Sequence, residues 1–120
     1  MPERTAAAVI AEVRRLVGEF PEAKYMADGG LCQYTQGIAT NGQRGCLIGQ
    51  AIVTLYPDLL EALREEDKGN LDPAGEVCLK LGIDVSLGER EYLDTIQYAQ
   101  DRGVKWCDCL LEADRECLGV

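Results

Sequence analysis

The run from Cys46 to Leu55 limits the fold more than any other part of this chain. Cys46, Leu47, Ile48, Ala51, Ile52, Val53 and Leu55 leave almost no polar side on a helix, and Gly49 adds no side chain at all. A helix that is apolar all round is stable only when other elements enclose it. The segment therefore predicts a buried central helix, with Gly49 as a point where a neighbour can approach closely. The rest of the chain must supply amphipathic elements to cover it.

Those elements are legible. Residues 3–17 repeat Val9, Ile10, Val13, Leu16 and Val17 at helical spacing, with Glu12, Arg14 and Arg15 facing away, and Gly18 with Pro21 as the stop. After the central helix, Pro57 suits the first turn of a new helix that turns Leu59, Leu60 and Leu63 inward and ends at Gly69. Asp72-Pro73 reads as an N-cap with proline at N1, followed by a Val77, Cys78 and Leu81 stripe closed by Gly82. Ser86-Leu87-Gly88-Glu89 is a capping box, starting a helix with Tyr92, Leu93, Ile96 and Ala99 inward and Gly103 at its end. A last helix places Trp106, Leu110, Ala113 and Cys117 on one stripe.

Between the first helix and the central one, residues 31–35 are short and β-compatible, and Asn41-Gly42 is a turn signal, so this stretch predicts a hairpin. A two-residue turn at Asn41-Gly42 sets Cys46 opposite Gly37; a longer loop near Ala39 sets it opposite Cys32. The expected fold is mainly α (α+β with one short β-hairpin), about six helices around a buried central helix. With 120 residues and no repeat or linker, it forms a single globular domain over residues 1–120.

Charge and residue usage narrow the function. Twelve basic against 21 acidic residues give a formal net charge of -9. That field repels phosphates, and Arg14-Arg15 is too small a basic cluster to reverse it, so no direct nucleic-acid binding is expected. No apolar run approaches the roughly 18 residues needed to span a membrane. Met-Pro-Glu-Arg-Thr at the start shows no basic region followed by an apolar run, so the expectation is a cytoplasmic protein with its six cysteines reduced.

The chain contains no histidine, and Ser86 is its one serine. Ser-His-Asp and Cys-His nucleophilic systems cannot be assembled within it, nor can zinc sites that use histidine. The acidic groups at Glu65-Glu66-Asp67 and at Glu89 and Glu91 lie on charge-rich helix edges that read as solvated faces. Cys107-Asp108-Cys109 resembles a chelate, but residues two apart on a helix do not share a face. Gly42-Gln43-Arg44-Gly45 precedes a helix without the lysine and hydroxyl of a phosphate loop. No catalytic residue, metal ligand or cofactor is therefore assigned. Binding surface remains, where exposed aromatics and arginines act as anchors. Trp106 and Tyr92 fall on inward stripes; Tyr34, Arg44 and Tyr98 are the candidate protein interface.

Two blocks of sequence carry a resemblance. Cys32-Gln33-Tyr34 followed by Gly45-Cys46-Leu47-Ile48-Gly49-Gln50-Ala51, and then Gln97-Tyr98-Ala99-Gln100-Asp101-Arg102-Gly103-Val104-Lys105-Trp106, resemble a pattern in small uncharacterised proteins of actinobacteria and actinobacteriophages. Where that pattern often has proline before the Cys-Leu-Ile-Gly run, this chain has Arg44-Gly45. The resemblance implies a bacterial or phage origin and brings no catalytic residue or cofactor with it. The expected function is that of a small acidic non-enzymatic accessory protein acting on another protein, as a phage product modulating a bacterial host would. A second copy of the chain could also serve as partner, in a homodimer. The alternative is a thiol-based metal-binding or redox protein.

Overall fold

The structure, a computed structural model, describes residues 4–23, 46–69 and 73–117. Among the described residues six α-helices run in chain order: α1 Ala6–Glu19, α2 Leu47–Leu55, α3 Leu60–Gly69, α4 Ala74–Lys80, α5 Leu87–Asp101 and α6 Trp106–Glu116. A 3-10 turn, Pro57–Leu59, leads into α3. The six helices match those predicted from periodicity and stop signals. Among the described residues there is no strand, only an isolated parallel bridge between Thr5 and Asp84. The expected hairpin, in both its registers, lies outside the described residues. No helix among them is long and apolar enough to cross a membrane.

Helix α1 buries Val9, Ile10, Val13, Leu16 and Val17, the stripe its spacing predicts. Thr5 caps it, its side chain accepting from the Ala8 N–H at 3.2 Å. The helix runs through Gly18 instead of stopping there. A methyl group at Gly18 would meet nothing within 4 Å, so the glycine weakens the last turn without interrupting it. The stop is Pro21, which disfavours helical backbone at Phe20 before it, and Phe20 takes φ -131° and ψ 60°.

Helix α2 buries Leu47, Ile48, Gly49, Ala51 and Ile52, while Val53 and Leu55 are half-buried. It contacts α1 and α5. Gly49 is enclosed, as expected, and a second buried glycine, Gly75, sits where α4 meets α5. A Cβ built at Gly75 would fall 2.9 Å from Arg90 Cβ and 3.0 Å from its Cα. In α4 the helix begins one residue later than Asp72-Pro73 suggests, with Pro73 as N-cap.

The capping box at the start of α5 is complete. Ser86 accepts from the Glu89 N–H at 3.2 Å, and Glu89 accepts from the Ser86 N–H at 2.9 Å. Gly82 (φ 76°) and Gly103 (φ 82°) follow α4 and α5 in the left-handed conformation that favours glycine at a helix exit. Helix α6 starts against the exit of α1, where the Trp106 and Cys107 N–H groups donate to the Ala23 and Pro21 carbonyls at 2.8 and 3.1 Å. Its inner face is Trp106, Cys109 and Ala113, with Leu110 and Cys117 half-buried. The predicted stripe of Trp106, Leu110, Ala113 and Cys117 thus faces the core, with the deepest burial displaced toward Cys109.

A three-way polar contact joins α1, α5 and α6. The Tyr92 hydroxyl donates to Asp114 Oδ1 at 2.6 Å, and Arg14 donates to both, at 2.7 and 2.9 Å. Tyr92 is buried, so desolvation first, and then its bond to Asp114, raise its pKa and keep the phenol protonated.

Two glycine-to-alanine substitutions should have opposite signs. Gly75→Ala forces its methyl group into the backbone of Arg90 and should destabilise by about 1–3 kcal/mol. Gly18→Ala fills open space within a helix and should stabilise by about 0.5–1 kcal/mol. Urea denaturation of the two variants beside the parent measures both.

Candidate functional site

Every α-helix leaves N–H groups unpaired in its first turn, and burying them unpaired costs about 1–3 kcal/mol each. Here α2 and α4 both begin inside the protein. The α4 N-cap is Pro73, which makes no side-chain hydrogen bond to the helix. The α2 N-cap is Cys46, whose sulfur is a weak acceptor, 3.4 Å from the Gly49 nitrogen. Neither segment satisfies its own start well.

Helix α5 supplies the missing acceptors from one face. Asp94, Gln97 and Gln100 follow one another at intervals of three residues, a spacing that aligns side chains along a helix. Asp94 Oδ1 accepts from the Gly75 N–H at 2.8 Å, and Gln97 Oε1 from the Ala74 N–H at 2.6 Å. Gln100 Oε1 accepts from the Leu47 N–H, also at 2.6 Å. The Gln100 amide nitrogen faces Cys46 Sγ at 3.6 Å and Asp101 Oδ1 at 3.3 Å. Gln97 and Gln100 are the buried polar residues among those described. Sequence reasoning missed this ladder, although uncharged amides alternating with Ile96 and Ala99 at the edge of an inward stripe were a usable signal.

Beside the ladder lies a cleft of about 350 Å³, lined by Pro73, Asp94, Gln97, Tyr98 and Asp101. Tyr98 points outward and is 67% exposed, the largest exposed aromatic among the described residues. The Arg102 guanidinium lies 4.8 Å from the centre of its ring. Arg102 is itself held by both Glu112 oxygens, at 2.8 and 2.9 Å, which ties this part of α5 to α6. Of the three candidate interface residues, Tyr98 is thus on the surface, whereas Tyr34 and Arg44 lie outside the described residues. Tyr56 is half-buried, and its hydroxyl accepts from the Thr5 N–H at 3.2 Å.

The thiols do different work. Burial raises the Cys78 and Cys109 pKa values to about 12 each, with nearby carboxylates adding to the effect. Both stay protonated at neutral pH, and thiolate is the form that attacks or binds metal. Cys109 donates to the Val104 carbonyl at 3.4 Å, while Cys107, two residues away, is half-exposed beside Asp108. The Cys107-Asp108-Cys109 triplet therefore diverges, as helical geometry requires. Among the described residues no three Cys, Asp or Glu side chains gather in a metal-holding group. The carboxylates at the helix edges have other engagements: Glu89 closes the capping box, and Glu66 lies 3.4 Å from Lys80.

Comparison of the chain with protein-family models, with curated protein sequences and with solved structures gave no match. The class that fold and site define is a mainly helical domain with a polar junction under an aromatic cleft.

Removing a rung of the ladder should be costly. Gln100→Leu keeps the volume but strands the buried Leu47 N–H, and should lower stability by about 1–3 kcal/mol in chemical denaturation. The thiols predict a pH dependence. In the unfolded chain they ionise near the ordinary value of 9.0, whereas in the fold Cys78 and Cys109 hold their protons to about 12. The unfolded state therefore loses protons first, so their stabilising contribution is full below about pH 9 and declines as pH rises toward 12. Denaturation midpoints between pH 8 and 10.5 should fall, and Cys78→Ala should fall less steeply than the parent.

Proposed function

We propose that this chain is a small acidic non-enzymatic accessory protein that works by binding another protein, and that the face of α5 around Tyr98 makes the contact. The observation that carries this reading is the exposure of Tyr98. A large amphipathic ring stands in solvent on a helix whose other face is fixed by three capping contacts. Aromatic residues presented on a rigid element, with an arginine beside them, are the usual energetic centres of protein interfaces. The net charge of -9 favours a basic partner and disfavours nucleic acid. The protonated state of Cys78 and Cys109 gives no support to the thiol-based alternative. The reading takes the partner to be a bacterial host protein that a phage product modulates, in keeping with the resemblance of the sequence to small actinobacterial and phage proteins.

The test compares capture by the parent chain and by Tyr98→Ala from a bacterial lysate, with the folded state of both confirmed by circular dichroism. The parent should recover one protein at near-stoichiometric yield, and purified partner should bind Tyr98→Ala at least about tenfold more weakly, corresponding to about 1.4 kcal/mol. Equal binding by the two chains would remove Tyr98 from the contact. Failure of the folded parent to retain any protein stoichiometrically would overturn the reading.

A further inference from the structure

Each tyrosine among the described residues has an arginine over its ring. The guanidinium carbon lies 5.7 Å from the ring centre for Arg4 at Tyr56, 5.5 Å for Arg14 at Tyr92 and 4.8 Å for Arg102 at Tyr98. Two of these rings are also tied into the fold through their hydroxyls. Tyr92 donates to Asp114 at 2.6 Å, and Tyr56 accepts from the Thr5 N–H at 3.2 Å. The Tyr98 hydroxyl has no hydrogen-bond partner among the described residues, and its ring lies outside the core. Arg102, the closest of the three arginines, is therefore the contact that holds this ring.

Arg102 is in turn held at both of its ends. Its backbone is the C-cap of α5, with its N–H donating to the Ala99 carbonyl at 3.1 Å and the left-handed Gly103 behind it. At the far end, Nη2 donates to both oxygens of Glu112 on α6, at 2.8 and 2.9 Å. Charge-assisted bonds of this kind fix a long side chain that stacking alone would leave mobile. Arg102 stands four residues after Tyr98, a spacing that sets the two side chains together on a helix. The Arg102 and Glu112 side chains are 45% and 32% exposed, and pairs in water contribute little to stability. Their effect is felt instead at the ring. An exposed tyrosine on a helix exchanges between two common side-chain rotamers, and a partner that covers it must select one.

We propose that Arg102 is the positioning residue of the Tyr98 contact. Braced from α6 by Glu112, it keeps the ring in one orientation, so α6 takes part in partner binding by way of α5. The proposal rests on the protein-binding reading and names the device that readies its central residue.

The test labels the tyrosines of the full chain with carbon-13 and measures the Hα–Hβ couplings of Tyr98 by NMR, together with cross-relaxation between its ring and the Arg102 side chain. The parent should show unequal couplings, as one rotamer requires, and a ring-to-Arg102 signal. Glu112→Gln removes the charged brace, and Arg102→Lys keeps the charge but has no planar guanidinium to lie on the ring. Both should bring the couplings toward their averaged value while the denaturation midpoint stays near that of the parent. Arg15→Gln, which removes an exposed pair from α1, should leave the ring unchanged. The partner captured by the parent chain should bind Glu112→Gln and Arg102→Lys about threefold to tenfold more weakly. Averaged couplings in the parent, or couplings unchanged in both variants, would overturn the proposal. A loss of stability with the ring still ordered would do the same, by reducing the pair to a tie between helices. Equal binding of the parent and both variants would overturn the positioning role and leave the protein-binding reading in place. Capture of no partner would overturn that reading, and with it the role in binding, whereas the couplings alone decide whether Arg102 orders the ring.

Discussion

The hydrogen bond from the Leu47 N–H to Gln100 Oε1, 2.6 Å long and fully enclosed, is the contact on which the rest of the structure depends. The most apolar helix of the chain has to start somewhere, and its first N–H groups lie where water cannot reach them. A serine, threonine or aspartate at the N-cap would satisfy them locally. This chain has Cys46 there, so the acceptor must come from elsewhere. It comes from α5, fifty-three residues along the chain. The same helix answers the same problem for α4 through Gln97 and Asp94, because proline at that N-cap makes no side-chain hydrogen bond. One face of one helix thus fixes where two others begin, and α5 also contacts α1 and α6.

That arrangement has a consequence for the surface. Residues 94, 97 and 100 are held by backbone donors on neighbouring elements, so the register and rotation of α5 are set from its inner side. Tyr98 and Asp101 project from the same turns and share their rigidity. A side chain presented in this way loses less conformational freedom on binding than one on a loop, which makes binding less costly. The cleft is concave because α4 approaches α5 closely at its start, and it does so because residue 75 is glycine: any side chain there would strike the backbone of Arg90. The shape of the candidate site and the stability of the α4–α5 junction therefore have one origin.

Much of the helical frame was legible in the sequence because its signals are local. The capping box at Ser86, the glycine exits at 82 and 103 and the stripe of α1 depend only on residues within a few turns of each other. What went astray depended on distant partners. The end of α1 is a local exception: of the two expected stop residues, the helix tolerates Gly18 and yields to Pro21, with Phe20 as its C-cap. The inner face of α6 turned toward Cys109, since its first turn is fixed by carbonyls at Pro21 and Ala23. The capping ladder was missed for a related reason: amides at the edge of an inward stripe signal that they are buried, but not which distant N–H each will accept from. Of the candidate interface residues, Tyr98 is exposed in the structure, and no inward stripe of α5 includes it.

The block from Gln97 to Trp106 shows why that absence matters. Gln97 and Gln100 cap neighbouring helices, Ala99 is in the core, Gly103 makes the turn after α5, and Trp106 fills the interior where α6 begins. Lys105 pairs with Glu22, and Arg102 with Glu112. Asp101 accepts from Gln100. The first resemblance block enters the same junction through Cys46 and Leu47, so two stretches half a chain apart in sequence meet at a single buried amide. Each of these residues has a task that the fold itself explains. Tyr98 does not: among the described residues its ring is not part of the core, and a lysine or glutamate in its place would suit an exposed helix position at least as well. A fold that accounts for its neighbours and leaves one large aromatic ring standing in water points to that ring as a place where another molecule completes the burial.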